Sequence, residues 1–558
     1  AVQVAGGGKS GSDDWHVNSI GNTGYTYILK EDGTVSSLGY NVNGELGNGA
    51  HTSTTNVCTV QGLTNVAQIA GSKDGNFGAA VKEDGTVWTW GANTNGQLGN
   101  GTTDSPKLNA IQVGSSGSNA MRITHGSVTN QDTGIQRVEF NNELITNVLI
   151  AENEEFHIFE DGISLNQSFS LLPDSQEVKA GSVEYTSFNP NIATVGKYTG
   201  IVTPVKGIYG TAIIIAKSDG YSSIIRVSIK PQDTDDVKSV AKPMVATGAS
   251  HTIALKYDGT VWTWGNNTNG QLGNNSTENS SSPVQVKSAD GNRYLTNIIE
   301  ISAGSDHNMA LRNDGTVWTW GSNTYGQLGN GSSVNSMLPV QVKSADGNSF
   351  LADIVQISAG YVHSMALKKD GTVLAWGRND GGQLGNNNTS NKSLPVQVKG
   401  GASGSEYLTD VVQVTAGNWH SMALKANGTV YAWGWGQYGQ LGNGYTTNSD
   451  DSDRYSYEKI YSAPVQVLNG AQTSETGYLK EVVQIDAMGG TGRSESNRFG
   501  TSLAVTESKE VYGWGNSLYG ALGVKSSIVS KPVRVGTDIS NAVQVAGGGK
   551  SGSDDWHV

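Results

Sequence analysis

The sequence predicts an all-β fold: a seven-bladed β-propeller broken once by a long non-repeating insertion. Three observations carry that expectation. A phrase of the form GTVWTWGANTNGQLGNG, seen in full from Gly85 to Gly101, occurs seven times. Each copy sits among short apolar runs that alternate with polar residues and are joined by tight turns, the mark of half-buried strands. Composition agrees: the 558 residues include 75 glycines and only 15% charged residues, as in turn-rich all-β chains.

The first copy of the phrase, GTVSSLGYNVNGELGNG from Gly33, is the weakest. The second begins at Gly85, the third to sixth at Gly259, Gly315, Gly371 and Gly428, and a degenerate seventh, KEVYGWGNSLYGALGVK, at Lys509. The motif valine stands at 35, 87, 261, 317, 373, 430 and 511, so uninterrupted units repeat every 52 to 57 residues. A unit of that size cannot bury its apolar face alone and must stack on its neighbours. Within residues 354–377, IVQISAGYVHSMALKKDGTVLAWG, alternating runs flank a Lys-Asp-Gly turn, a hairpin signature. A last short strand, PVQV, begins at Pro283, Pro339, Pro395 and Pro464, with PVRV at Pro532; proline suits a strand's first residue or an edge. About four strands per unit and seven units make a propeller. The pairs Trp88/Trp90, Trp262/Trp264 and Trp318/Trp320 are two residues apart, hence on one strand face. They are expected between neighbouring blades, each contributing roughly 2–3 kcal/mol of burial.

The phrase G-T-V-x-x-W-G…G-Q-L-G-N-G, followed by P-V-x-V and A-G-x-x-H-S-x-A-L, resembles the regulator of chromosome condensation repeat family, whose members form seven-bladed propellers. The resemblance covers the chain outside the insertion. After PKLNAIQV (Pro106 to Val113) the pattern stops, and it resumes near Pro243 with PMVATGASHTIAL. Between them, residues 185–231 carry S-x-N-P-x-I-A-T-V, then G-x-V-T-P-V, then G-T-A-I-I-I-A. These resemble a bacterial immunoglobulin-like domain of the group-2 kind, which implies an inserted β-sandwich of the type found in bacterial surface proteins. The expected organisation is propeller over 1–114, insertion over 115–235, and propeller over 236–558, with QDTDDVK (Gln232 to Lys238) as exit linker.

Charge and motifs narrow the function classes. A net charge of -13 repels phosphate backbones, so nucleic-acid binding through a basic field is disfavoured. No apolar stretch approaches the ~18 residues of a membrane span. The single cysteine, Cys58, permits no intrachain disulfide. GGGKS (Gly6 to Ser10) lacks the upstream glycine of a phosphate loop, with Gln3 in that place, and no helical pattern follows. His251, His307, His363 and His420 occupy equivalent positions, but Tyr25, Phe77 and Thr501 stand there in the other units. A metal ligand does not tolerate phenylalanine, so these histidines are read as structural. In NSDDSDRYSYEKIYS (Asn448 to Ser462), Asp450, Asp451 and Asp453 fit no EF-hand spacing. The loop is read as a solvated insertion, with Tyr455, Tyr457 and Tyr461 as candidate contact residues and calcium as a third reading. No HExxH, G-x-S-x-G or CxxC occurs, and no catalytic, metal or cofactor site is expected.

Residues 1–17, AVQVAGGGKSGSDDWHV, recur without change as residues 542–558. The segment matches IVQISAGY and VVQVTAGN, so it is a blade's first strand, supplied twice for one ring. Val2, Gln3 and Val4, with Val543, Gln544 and Val545, are the candidate assembly strand. Tandem propellers, strand exchange between molecules and simple redundancy all fit that pattern. The leading expectation is a non-enzymatic structural or adhesive protein of a bacterial surface assembly, extracellular, associating with itself or with tandem copies, and with protein or surface glycan as partner. The alternative is a monomeric protein-recognition propeller, since members of the family that the chain resembles bind protein partners through one face.

Overall fold

In the computed structural model, seven four-stranded antiparallel sheets are each built from consecutive strands in simple meander order. The structure describes residues 4–7, 25–114 and 241–535, less short internal stretches of which the longest are 446–459 and 490–499, together with the strands between 145 and 230. The chain is therefore an all-β seven-bladed propeller. Blade 1 comprises Val4–Gly7, Tyr25–Leu29, Val35–Gly39 and Thr54–Thr59; blade 2 comprises Val66–Gly71, Phe77–Lys82, Val87–Gly91 and Lys107–Gln112. Blades 3 to 7 begin with Met244–Thr247, Ile298–Ala303, Ile354–Ala359, Val411–Ala416 and Val482–Gly489. These first strands lie against one another around the ring, and that of blade 7 meets that of blade 1.

The meander puts the loops of each blade on two faces. Turns between strands one and two, and loops between three and four, share one face, here the loop face. The Lys-Asp-Gly-type hairpins and the connections to the next blade share the other, the hairpin face. On the loop face each GxNxxGQLG segment is held by its asparagine. Asn323 Nδ2 donates to the carbonyls of Ser332 and Val334, both at 3.0 Å, and its Oδ1 accepts from the Leu328 amide at 2.9 Å. Asn41, Asn93, Asn267 and Asn379 do the same in their blades. An amide that is both donor and acceptor rigidifies a loop with no regular ladder of its own.

The glycine that ends GQLG has a different task. Gly329 has φ +66°, and a Cβ there would lie 2.7 Å from Trp376 Nε1 of the next blade. Gly329→Ala therefore combines a left-handed backbone with a clash. It is expected to cost about 1–3 kcal/mol of stability, read as a lowered midpoint in urea unfolding.

Within the insertion two sheets are described. Glu184–Ser187, Gly210–Ser218, Tyr221–Lys230 and Ile145–Ala151 form one, in that order, with the last pair parallel. Phe156–His157, Ile201–Pro204 and Ala193–Val195 form the other. Tyr185, Ala212, Ile214 and Val227 of the first sheet and Ala193 and Val202 of the second are buried.

Candidate functional site

Blade-to-blade contacts on the loop face start from one carbonyl per blade. The Gln327 carbonyl accepts from Trp376 Nε1 at 2.9 Å and from Ser364 Oγ at 2.8 Å, both in the next blade. Gln271, Gln383 and Gln440 repeat the arrangement, each receiving an indole N–H and one polar side chain of the following blade. The second member of each expected tryptophan pair thus sits between blades with its polar end satisfied. Its partner two residues earlier, Trp88, Trp262 or Trp318, is only half-buried, closer to the hairpin face.

The four histidines complete these contacts. His307 Nε2 lies 3.1 Å from Ser364 Oγ, His363 Nε2 2.9 Å from Ser421 Oγ, and His420 Nε2 2.9 Å from Ser502 Oγ. Each of those hydroxyls already donates to a glutamine carbonyl. It must therefore accept from the ring, so Nε2 is the nitrogen that carries a hydrogen. His251 pairs in the same way with Asn308 Oδ1 at 2.9 Å. Burial pushes the His251 ring below its ordinary range, opposed by Asn308 and by the charge of Asp306. The rings are latches between blades. Among the described residues no three of His, Cys, Asp and Glu converge to hold a metal.

Around the axis, first-strand side chains reach the backbone of the next first strand. Gln356 Oε1 accepts from the Val414 amide at 2.8 Å, and Gln413 Oε1 from the Ile485 amide at 2.9 Å. Ser302, Ser358 and Thr415 accept from the amides of Ala359, Ala416 and Ala487. Glu300 holds the glutamine position in blade 4 and accepts from Ile357 at 3.3 Å. Burial pushes its carboxyl up to about 8.

Two surfaces depart from this repeated framework. On the loop face the Arg378 guanidinium lies 4.6 Å from the Tyr325 ring and 4.4 Å from the Trp419 ring. Asp380 grips it through two bonds, Nε to Oδ1 at 2.8 Å and Nη2 to Oδ2 at 2.6 Å. Trp419 packs with Tyr361, ring centroids 6.2 Å apart, and with Trp435. The cluster spans blades 4, 5 and 6. Arg378 is 15% exposed and Asp380 38%, so a fixed cation edged by aromatic rings faces the loop surface. Rigid Arg, Trp and Tyr side chains of this kind are the residue types that dominate protein interfaces.

On the hairpin face, Tyr294, Phe350, Tyr407 and Tyr478 are 46–56% exposed, one on each connection from blade 3 to blade 7. Each bridges a residue after the preceding fourth strand, namely Lys287, Lys343, Lys399 and Leu468. Lys399 Nζ stands 4.3 Å from the Tyr407 ring.

The residues singled out in the sequence are placed unevenly. Val4 lies in the first strand of blade 1, opposite Ile28. Val2, Gln3, Val543, Gln544 and Val545 lie outside the described residues, as do Tyr455, Tyr457 and the aspartates at 450, 451 and 453. Tyr461 lies in a strand rather than in the loop expected for it. It belongs to the fourth strand of blade 6, Ile460–Gln466, opposite Gly434, and packs against the core. Sequence reading missed Arg378, Tyr325, Trp419 and Trp435. Their signal was available as departures from the repeat: Arg378 stands where other blades carry Ala92, Asn266 and Ser322, and Trp419 where they carry Ser250, Asp306 and Val362.

Residues 222–552 match the family described as RCC1-like domain, and residues 66–97 and 84–125 each match a regulator of chromosome condensation (RCC1) repeat. The ultraviolet-B receptor UVR8 of Arabidopsis thaliana is 29% identical over 336 residues, 55% of this chain and 72% of the receptor. The E3 ubiquitin-protein ligase HERC2 of Homo sapiens is 31% identical over 296 residues, 52% of this chain but 5% of the ligase. Among solved structures, Prp20p from Saccharomyces cerevisiae has a TM-score of 0.53 at 17% identity, covering 93% of this chain and 91% of that one. Yeast RCC1 (Prp20) in complex with Kap60 gives 0.52 at 16%, covering 91% and 85%. At these identities the structural likeness shows the propeller fold alone.

Proposed function

Because the chain belongs to the RCC1-like domain family, we propose that it is a protein-recognition propeller that acts by binding, without a catalytic step of its own. The observation that carries this reading is the Arg378 cluster, where Tyr325, Trp419 and Asp380 hold one cation rigidly on the loop face. The relatives point the same way: one is a receptor, one a ligase of which the matched stretch is 5%, and Prp20p has binding properties towards Gsp1p and histones. They favour this reading over a structural or adhesive subunit of a polymer. The insertion is, in our reading, an immunoglobulin-like sandwich of the bacterial group-2 kind, supported by its sequence marks and by two sheets that both bury apolar side chains. That insertion, together with the uncharged Asn, Gly, Ser and Thr loops, supports an extracellular or cell-surface bacterial address.

The test uses the full chain immobilised beside Arg378→Ala and Phe350→Ala variants of matched thermal stability, with bound proteins quantified by mass spectrometry. A partner held by the wild type and by Phe350→Ala, but reduced about tenfold or more by Arg378→Ala, is expected. Equal capture by all three proteins would refute the assignment of the site.

A further inference from the structure

We propose that the Arg378 cluster is built to receive a carboxylate, and that the partner presents an aspartate or glutamate side chain there. This rests on the recognition reading given above and adds the chemistry of what is recognised. Its ground is a surplus of hydrogen-bond donors at the seam between blades 5 and 6, where two residues of the repeat have changed.

In four blades the loop itself orients the side chain of the GQLG glutamine. Gln97, Gln271, Gln327 and Gln383 accept through Oε1 from the amides of Asn95, Asn269, Tyr325 and Gly381, at 2.8–2.9 Å. With the oxygen fixed, Nε2 turns to the residue five places before the glutamine and to the one before the next blade's histidine. In blade 3 these are Asn266 and Asp306, and Gln271 Nε2 donates to Oδ1 of each, at 2.9 and 3.2 Å. In blade 4, Gln327 Nε2 donates to Ser322 Oγ at 3.3 Å. In blade 5 the same two places hold Arg378 and Trp419, and a guanidinium and an indole only donate. Gln383 has no exposed surface, and its Nε2 has no acceptor among the described residues. A Cβ on Gly381 would lie 3.1 Å from Gln383 Oε1 and 3.7 Å from Trp419 Cε3, so the amide and the indole ring flank one spot. Gly381 has no left-handed φ that would require glycine. Its lack of a side chain, where Asn269 and Tyr325 carry one, keeps that spot clear.

A buried donor without an acceptor is costly, and here the partner supplies what is missing. Asp380 takes Nε–H and one hydrogen of Nη2. The opposite edge of the guanidinium, Nη1 with the remaining hydrogen of Nη2, has no acceptor among the described residues. The Tyr325 and Trp419 rings hold that edge in place. A carboxylate meets it with two parallel bonds, each roughly twice as strong as a bond to a neutral carbonyl. A stacked guanidinium is attracted to the ring face as a whole, so it can shift over Trp419 and let a carboxylate oxygen reach Gln383 Nε2. Phosphate fits less well. Asp380 already brings one negative charge to the cation, and a dianion beside it would add to a chain of net charge -13.

The test pans random dodecapeptides displayed on phage against the immobilised full chain, after depletion on Arg378→Ala. Enriched peptides are expected to share an aspartate or glutamate at one place. Synthetic versions with asparagine or glutamine there should bind the wild type about tenfold or more weakly. Gln383→Glu puts the missing acceptor into the protein itself, as Glu45 does at the same place in blade 1. It should bind the acidic peptides about tenfold or more weakly, with a Tm equal to or above that of the wild type. Peptides that need Arg378 but carry no acidic residue overturn the carboxylate and leave the recognition reading standing. Stronger competition by inorganic phosphate than by acetate does the same. Equal binding of the acidic peptides by Gln383→Glu also overturns the proposal. No enrichment over Arg378→Ala overturns the proposal and the recognition site together.

Discussion

Trp376→Ala is expected to lower the free energy of unfolding by about 3–5 kcal/mol, the range for removing a large buried aromatic side chain. Trp376 has no exposed surface and packs among Val342, Ile354 and Ile357, with Gly329 beneath its nitrogen. Alanine leaves a cavity at the seam between blades 4 and 5. It also removes one of two donors to the Gln327 carbonyl, leaving Ser364 Oγ. Chemical denaturation of the wild type and of Trp376→Ala and Trp376→Phe separates these effects. Phenylalanine fills much of the volume and should recover more than half of the loss. A loss below about 1 kcal/mol for alanine would mean that the seam repacks and that the indole is not what joins the blades.

Glu300→Gln is expected to stabilise the protein in a pH-dependent manner. Burial raises the Glu300 carboxyl from its ordinary 4.5 to about 8. Below about pH 4.5 the carboxyl is protonated in both the folded and the unfolded chain, and the substitution should change little. Between 4.5 and about 8 the folded state binds the proton and the unfolded state does not, so the contribution of Glu300 to stability falls as pH rises. Glutamine keeps an acceptor for the Ile357 amide and carries no charge. It also offers the donor that Gln413 uses towards the Ile485 carbonyl at 2.9 Å. The gain should reach its full size above pH 8, on the order of 2 kcal/mol once the partial exposure of the side chain is allowed for. Thermal unfolding at pH 5 and pH 8.5 measures it. Equal gains at both values would show that packing, not ionisation, is responsible.

The repeat made most of the propeller legible in advance. A phrase occurring seven times, with period-two alternation and glycine at fixed places, leaves few arrangements other than stacked four-stranded sheets. The histidines were legible as structural for a related reason: a position that accepts Tyr25, Phe77 and Thr501 in other blades must be filled for shape. Tyr461 was misplaced because an acidic, tyrosine-rich stretch reads as loop until its pairing opposite Gly434 is known.

The sequence by itself determined the number of blades and the strand content of each, and it placed tryptophans between blades, where the second of each pair lies. Those properties follow from local periodicity and from residues whose backbone demands are their own. Only the tertiary structure decided that Tyr325, Arg378 and Trp419, from three different blades, form one cluster, and that the Glu300 carboxyl faces the next first strand. Side chains fifty residues apart in sequence are brought together by the rotation from blade to blade, and no pattern along the chain encodes which of them meet.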